Sequence, residues 1–185
     1  MSAFRGWHAL LLLVVALLVL VGLGVPVETG RADSETLGFL WLNPPFPSAA
    51  VGTSTTLALQ LDNVTNVVGA EVHLEFDPAF LEVVGDAVIP GTCPEPNFVV
   101  ANTADNTAGT IDYTVTQLAP TPPCAGGLVA DIEFRCKAET SPSTEVSIVS
   151  STISDPDGVP IDHVTEGATI TCLRPVFLPL VLRDY

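Results

Sequence analysis

Short runs in which apolar and polar positions alternate recur along the chain, separated by Gly, Pro, Asn and Asp, and no stretch after residue 32 repeats with a helical period. Alternation with a period of two is the mark of strands that have one face in a core and one in water. The run 37–42 (LGFLWL) predicts a first strand, closed by the Pro-rich NPPFP. In 55–63, Leu57, Leu59 and Leu61 share one face, with Thr56, Ala58 and Gln60 on the other. The clearest alternation is in 67–76, where Ala70, Val72, Leu74 and Phe76 are expected inward and Glu71, His73 and Glu75 outward. Asp77-Pro78 makes a turn, and 80–88 (FLEVVGDAV) begins a further strand. Residues 97–118 read as a hairpin with a polar tip from Ala104 to Gly109. Its second arm puts Ile111, Tyr113 and Val115 on one face and Asp112, Thr114 and Thr116 on the other. In 127–138 the inward set is Leu128, Ala130, Ile132, Phe134 and Cys136, and the outward set Val129, Asp131, Glu133, Arg135 and Lys137. Runs at 144–153 and 167–173 complete an all-β chain of the sandwich or barrel class.

The N-terminus breaks this pattern. Positions 9–27 carry no charge and follow Arg5 and His8, the arrangement of a secretory signal. Gly30-Arg31-Ala32 places small residues for a cut before Asp33, so residues 1–32 are expected to be a signal peptide or, uncleaved, an apolar membrane-anchor helix. Membrane contact is expected only through this segment. About 150 residues then remain, enough for one domain with a core and too few for two. Removing Arg5, Arg31 and Glu28 from the 6 basic and 21 acidic residues leaves 4 and 20, a net charge near −16. Such a surface repels phosphate backbones, which excludes nucleic acid as a partner and suits a cationic or calcium-carrying one.

Cys93, Cys124, Cys136 and Cys172 all lie in the part expected to be exported, where an even count favours two disulfides. No C-x-x-C or paired His accompanies them, which argues against zinc. The strand reading selects among the three pairings. If Phe98 pairs near Val115, the hairpin arms diverge towards Cys93 and Cys124. Cys136 shares the inward parity of Ile132 and Phe134, and Cys172 that of Ile170. The expected bridges are Cys93–Cys124 and Cys136–Cys172.

The block VTNVVGAEVHLEFDPAFLEVV at 64–84 resembles the cohesin family, whose pattern there is N-x-x-G-A-x-x-x-L-x-[FY]-D-P-x-x-L-E-V. The polar-tipped hairpin FVVANTADNTAGTIDYTVTQL, the strand GGLVADIEFRCKA and the turn DPDG at 155–158 follow in the family's order, so the resemblance spans about Leu37 to Leu173. It implies a nine-stranded antiparallel jelly-roll β-sandwich over 33–173 and a non-catalytic module that binds dockerin, a small calcium-loaded helical module. In the best-known setting that contact docks polysaccharide-degrading enzymes onto a scaffold. The implied docking surface is the outer face of a sheet holding the strands at 67–76, 97–102, 110–118 and 127–138. Its residues would be Glu71, His73, Glu75, Asp112, Thr114, Thr116, Asp131, Glu133 and Arg135. The same residues would otherwise simply solvate a sheet face. The cysteines depart from the better-known cohesins.

Rival readings are a carbohydrate-binding module, since the fold is similar to certain cellulose-binding modules, and a structural adhesion domain at the cell surface. A sugar platform needs a row of exposed rings, for which Trp41, Phe46 and Phe98 are the candidates. Catalysis has little support: His73 and His163 sit in no nucleophile motif, and no G-x-S-x-G, H-E-x-x-H or P-loop occurs. Glu71 and Glu75 stand about 13 Å apart by strand rise, too far for a glycosidase pair, although a cross-strand pair such as Glu75 with Glu133 would be closer. Asp155, Asp157 and Asp162 echo a calcium loop but lack its closing Glu, and an ordinary turn is the favoured reading. No cofactor and no metal are implied. The tail at 174–185, RPVFLPLVLRDY, resembles a terminal FLPLVLR motif of exported bacterial proteins; it reads either as a last strand or loosely docked extension, or as a terminal sorting or surface-retention tag. The expected location is secreted or cell-surface.

Overall fold

The structure, a computed structural model, describes residues 37–175. The segment expected to be a signal or anchor helix (1–32) and all but Arg174 and Pro175 of the tail lie outside the described residues. Among the described residues twelve strands form two sheets: β1 Gly38–Asn43, β2 Ser48–Ala50, β3 Ser54–Asp62, β4 Gly69–Phe76, β5 Leu81–Val83, β6 Ile89–Pro90, β7 Phe98–Asp105, β8 Thr110–Thr116, β9 Gly127–Cys136, β10 Thr144–Ser154, β11 His163–Glu166 and β12 Ala168–Leu173. The first sheet runs β11-β1-β3-β9-β5, with β6 also beside β9, and the second runs β2-β12-β10-β4-β8-β7.

The count is twelve rather than nine because three runs are each split in two. Between β1 and β2 the Pro-rich 44–47 carries the chain from the first sheet to the second. Gly167 does the same between β11 and β12. A Cβ on Gly167 would meet the Val146 carbonyl oxygen at 2.4 Å, so the crossing needs glycine. The sandwich is also not wholly antiparallel. β1 pairs with β11 and β12 with β2 in parallel, because the first and last runs lie side by side and travel the same way.

The run at 80–88 yields only β5, a 3₁₀ turn at Val84–Asp86 with Gly85 at φ 83°, and the two residues of β6. Side chains from the hairpin replace the missing ladder. The Asn106 amide accepts from Val83 N at 2.7 Å and donates to Val83 O at 3.0 Å. Asn102 does the same for Val88, at 2.8 and 2.9 Å. Each amide thus supplies one donor and one acceptor, the pair a neighbouring strand would offer.

The core is where the alternation placed it. Leu57, Leu59 and Leu61 of β3, Val72 and Leu74 of β4, Ile111, Tyr113 and Val115 of β8, and Ile132, Phe134 and Cys136 of β9 are all buried. Phe76 and Phe134 meet edge to face across the two sheets with centroids 5.4 Å apart. One parity prediction failed. Val129 is buried and Leu128 half-buried, the reverse of the expected assignment. Leu59 pairs with Ala130 but Gln60 with Leu128, so a β-bulge inserts Val129 and shifts the face of everything before it.

Both expected disulfides are formed, Cys93–Cys124 and Cys136–Cys172. Cys136 lies on β9 and Cys172 on β12, so this bond joins the two sheets through the core. The other does so at the far end. Cys93 is held to Leu128 O on the first sheet, and Cys124 bridges Val67, which leads into β4 of the second.

Candidate functional site

The outer face of β10-β4-β8-β7 is an open polar grid whose rows follow from strand register. Ser154, Gly69, Thr116 and Phe98 form one row; Thr152, Glu71, Thr114 and Ala101 the next. Then come Ser150, His73, Asp112 and Thr103, followed by Ser147, Glu75, Thr110 and Asp105. Exposure supports the assignment: Glu71, Glu75, Asp112, Ser150, Thr152, Thr103 and Asp105 are exposed, while the alternate residues of β4 and β8 are buried. Carboxylates occupy its middle columns, and hydroxyls surround them.

His73 sits near the centre of this grid. Its Nδ1 lies 2.5 Å from Asp112 Oδ1 and its Nε2 3.0 Å from Glu71 Oε1. Hydrogen bonds donated to the Glu71 and then the Asp112 carboxylate favour the imidazolium and raise the His73 pKa above its ordinary 6.5. At the end of β7, the Asp105 carboxylate accepts from Ala108 and Thr107 N–H, which lowers its pKa and keeps it ionised. Thr116 is partly committed to the fold, since its hydroxyl donates to Val68 O at 3.0 Å.

Six of the nine residues expected on one surface are therefore together: Glu71, His73 and Glu75 on β4, and Asp112, Thr114 and Thr116 on β8. The other three are not. Asp131, Glu133 and Arg135 lie on β9, in the opposite sheet, beside Ala58, Thr56 and Ser54 of β3. Arg135 pairs with Glu82 of β5 at 3.0 Å. Glu75 and Glu133 accordingly face opposite sides of the sandwich and form no carboxylate pair. β10 takes the place expected for β9. It contributes Ser147, Ser150 and Thr152, which the sequence reading left out although its run of hydroxyls, TEVSIVSSTI, was visible.

Other candidate chemistry resolves into local structure. The Asp155 carboxylate accepts from Asp157 and Val159 N–H, the geometry of a turn. Among the described residues no three His, Cys, Asp or Glu side chains are grouped to hold a metal. His163 Nδ1 lies 2.8 Å from Ile161 O and its Nε2 2.7 Å from Ser151 Oγ, at the edge where the two sheets meet. The Ile161 carbonyl accepts from the Nδ1–H, and Nε2 shares the second hydrogen bond with the Ser151 hydroxyl. Among the described residues no carboxylate bonds to this pair, and no motif in the sequence signals it.

On the outer face of the first sheet, Phe39 and Trp41 stack with centroids 5.9 Å apart and planes 18° apart. The indole N–H of Trp41 donates to Asp62 at 2.7 Å. Phe46 and Phe98 are exposed but stand apart from this pair, Phe46 in the loop after β1 and Phe98 on the second sheet.

Comparison with known proteins bears on the whole domain. A search of curated proteins returns no match. Solved structures do match. The solution structure of CaCohA2 from Clostridium acetobutylicum has a TM-score of 0.62 at 18% identity, covering 74% of this chain and 90% of that one. The third cohesin of ScaC from Acetivibrio cellulolyticus, solved in complex with the ScaB dockerin, gives 0.61 at 14% identity over 74% and 99%. A non-cellulosomal cohesin from the archaeon Archaeoglobus fulgidus gives 0.60 at 15% identity over 74% and 91%. At these identities the structures establish the fold. The family model described as "Cohesin domain" matches residues 42–171, and the chain belongs to the cohesin domain family.

Proposed function

We propose that this chain is an extracellular, non-catalytic binding module whose β10-β4-β8-β7 face docks a dockerin-type partner. One observation carries the reading. Four strands present a solvent-open grid of Ser, Thr, Glu and Asp with His73 near its centre, on a protein of net charge −15. That surface complements a helix bearing Lys, Arg, Ser and Thr, and polar complementarity of this kind sets register and on-rate. Neighbouring structures that include complexes with dockerins support the choice of partner. Two disulfides fit an oxidising compartment, and with the apolar N-terminal segment they support export. A place in extracellular polysaccharide degradation follows if the partner carries such an enzyme.

The test is calorimetric titration of the full chain against calcium-loaded dockerins encoded in the same genome. Binding that weakens about tenfold or more in Glu75→Arg and Thr114→Arg is expected. Silence with every dockerin overturns the reading.

The stacked Phe39–Trp41 pair favours a second reading, a sugar-binding ledge on the opposite sheet. Exposed rings stack on pyranose faces, and Gln60, Asn43 and Asp62 supply amide and carboxylate groups for hydroxyls. Titration with cellohexaose and xylohexaose tests it. Binding that Trp41→Ala abolishes and Glu75→Arg leaves intact would establish the ledge, and no binding to either sugar removes it.

A further inference from the structure

We propose that His73 is a built-in competitor for the cationic anchor of the docking partner: protonated, it fills the subsite between Glu71 and Asp112, and neutral, it leaves that subsite open to a Lys or Arg side chain. The inference rests on the docking reading above and adds to it the position, the chemistry and the regulation of one contact.

The geometry defines the subsite. Glu71 on β4 and Asp112 on β8 lie on the same outer face, each with its side chain about half exposed, and the imidazole bridges them with one nitrogen to each. Carboxylates offer only acceptors, so both contacts are hydrogen bonds only when both ring nitrogens carry protons. Deprotonation leaves one nitrogen lone pair facing a carboxylate. That contact turns repulsive, one arm of the clamp is released, and two carboxylates face the solvent where one positive charge had been. A lysine ammonium or an arginine guanidinium restores what the imidazolium supplied.

The surroundings strengthen the contrast. The other ionisable groups on this face are acidic: Glu75 on β4, Asp105 at the end of β7 and Glu145 on β10. Asp105 stays ionised through the range in which His73 titrates. The described cations other than histidine are engaged elsewhere: Arg135 with Glu82, Lys137 with Pro78 O and Arg174 with Glu139. Among the described residues, His73 is therefore the one cationic group on the face able to occupy the subsite.

The sign follows directly. With the His73 pKa raised in the free protein, the clamp is closed at acid pH and opens as pH rises through that value. Partner binding is weaker at low pH, because the competent fraction scales the apparent affinity. At pH 5.5 that fraction is about one in ten or less, so the dissociation constant should be about tenfold or more above its value at pH 8.0.

The experiment uses the full chain and the calcium-loaded dockerin that binds most tightly in the array above, titrated at pH 5.5 and 8.0. Wild type should show the acid weakening. His73→Gln should bind equally at both pH values with the affinity wild type shows at pH 8.0. His73→Lys, a permanent occupant, should bind weakly at both. In parallel, the His73 ring is titrated by NMR without partner, and its raised pKa should fall towards the ordinary value in Glu71→Gln and Asp112→Asn. A flat wild-type profile, or an acid weakening that survives in His73→Gln, overturns the competitor role while leaving docking intact. Tighter binding at pH 5.5 that is lost in His73→Gln also overturns it, since His73 would then be a donor to the partner. Failure of every dockerin at both pH values removes the docking reading and this one together.

Discussion

Replacing Cys136 and Cys172 together by Ala removes one of the two bonds that join the sheets, and its cost can be worked from the structure. The bond closes a loop with a sequence separation of 36. The chain-entropy relation for a loop of that size gives about 3.8 kcal/mol at 25 °C. Both residues are fully buried, so removing two sulfurs adds a packing loss of about 1 kcal/mol. Alanine is preferred to serine because an unpaired buried hydroxyl would add a desolvation cost unrelated to the cross-link. The expected loss is about 4–5 kcal/mol, a large part of the ~5–15 kcal/mol typical of a domain. Urea denaturation of the full chain reads it, and the urea slope should rise because the freed unfolded chain exposes more surface. A loss under about 2 kcal/mol, or a full loss with an unchanged slope, would refute the argument that the bond acts through the unfolded chain. The 93–124 loop, with a separation of 31, does not overlap the first. Its contribution of about 3.7 kcal/mol should therefore add. Removing both bonds should cost about as much as many domains possess.

Gly109→Ala should cost about 2–4 kcal/mol by thermal denaturation, because φ is +77° there and a Cβ would meet Phe76 O at 2.2 Å and Pro78 Cδ at 2.7 Å. Asn102→Ala should cost about 1–2 kcal/mol and speed hydrogen exchange at the Val88 amide, which loses its only side-chain acceptor. The Tyr113 hydroxyl is buried with no hydrogen-bond partner among the described residues, so Tyr113→Phe should be neutral or stabilising by about 1 kcal/mol in urea denaturation. Desolvation pushes the Tyr113 pKa up to about 12. The unfolded chain ionises near 10, so wild-type stability should decline as pH rises from about 10 to 12, and Tyr113→Phe should lack that decline.

The strands with strict alternation were legible because half-burial writes itself into residue type at every second position. Leu57-Leu59-Leu61 and Val72-Leu74-Phe76 could face only inward. The disulfides were legible for the same reason: Cys136 and Cys172 carry inward parity on their strands. Sheet membership was not. Alternation says which face of a strand meets the core and nothing about which strands lie beside it. The grouping of 127–138 with β4 and β8 rests on the cohesin resemblance alone, and the register corrects it: the partners of β9 are β3, β5 and β6. The bulge at Val129 was hidden because Leu128, Val129 and Ala130 are all apolar, so the local sequence is consistent with either parity. β2, β6 and β11 are too short, at three, two and four residues, for any period to show. The His73 clamp needed the pairing of β4 with β8, since Asp112 is 39 residues away in sequence.

The two outer faces differ in a way that the shared core does not require. Both sheets rest on the same interior, closed at two ends by disulfides, so a change on either outer face leaves core packing untouched. The face of β10, β4, β8 and β7 is hydroxyl and carboxylate, with Phe98 at its edge strand. The face of the first sheet carries Phe39 and Trp41, the Trp41–Asp62 hydrogen bond and the Arg135–Glu82 ion pair. Surface substitutions away from such contacts usually change stability by about 0.5 kcal/mol or less. Thr114→Arg lies away from these contacts, whereas Trp41→Ala breaks the Phe39 stack and the Asp62 hydrogen bond, so its thermal stability is measured beside its binding. Each is the control for the other: a partner lost with the first and kept with the second docks on the polar grid, and the converse places the ligand on the rings.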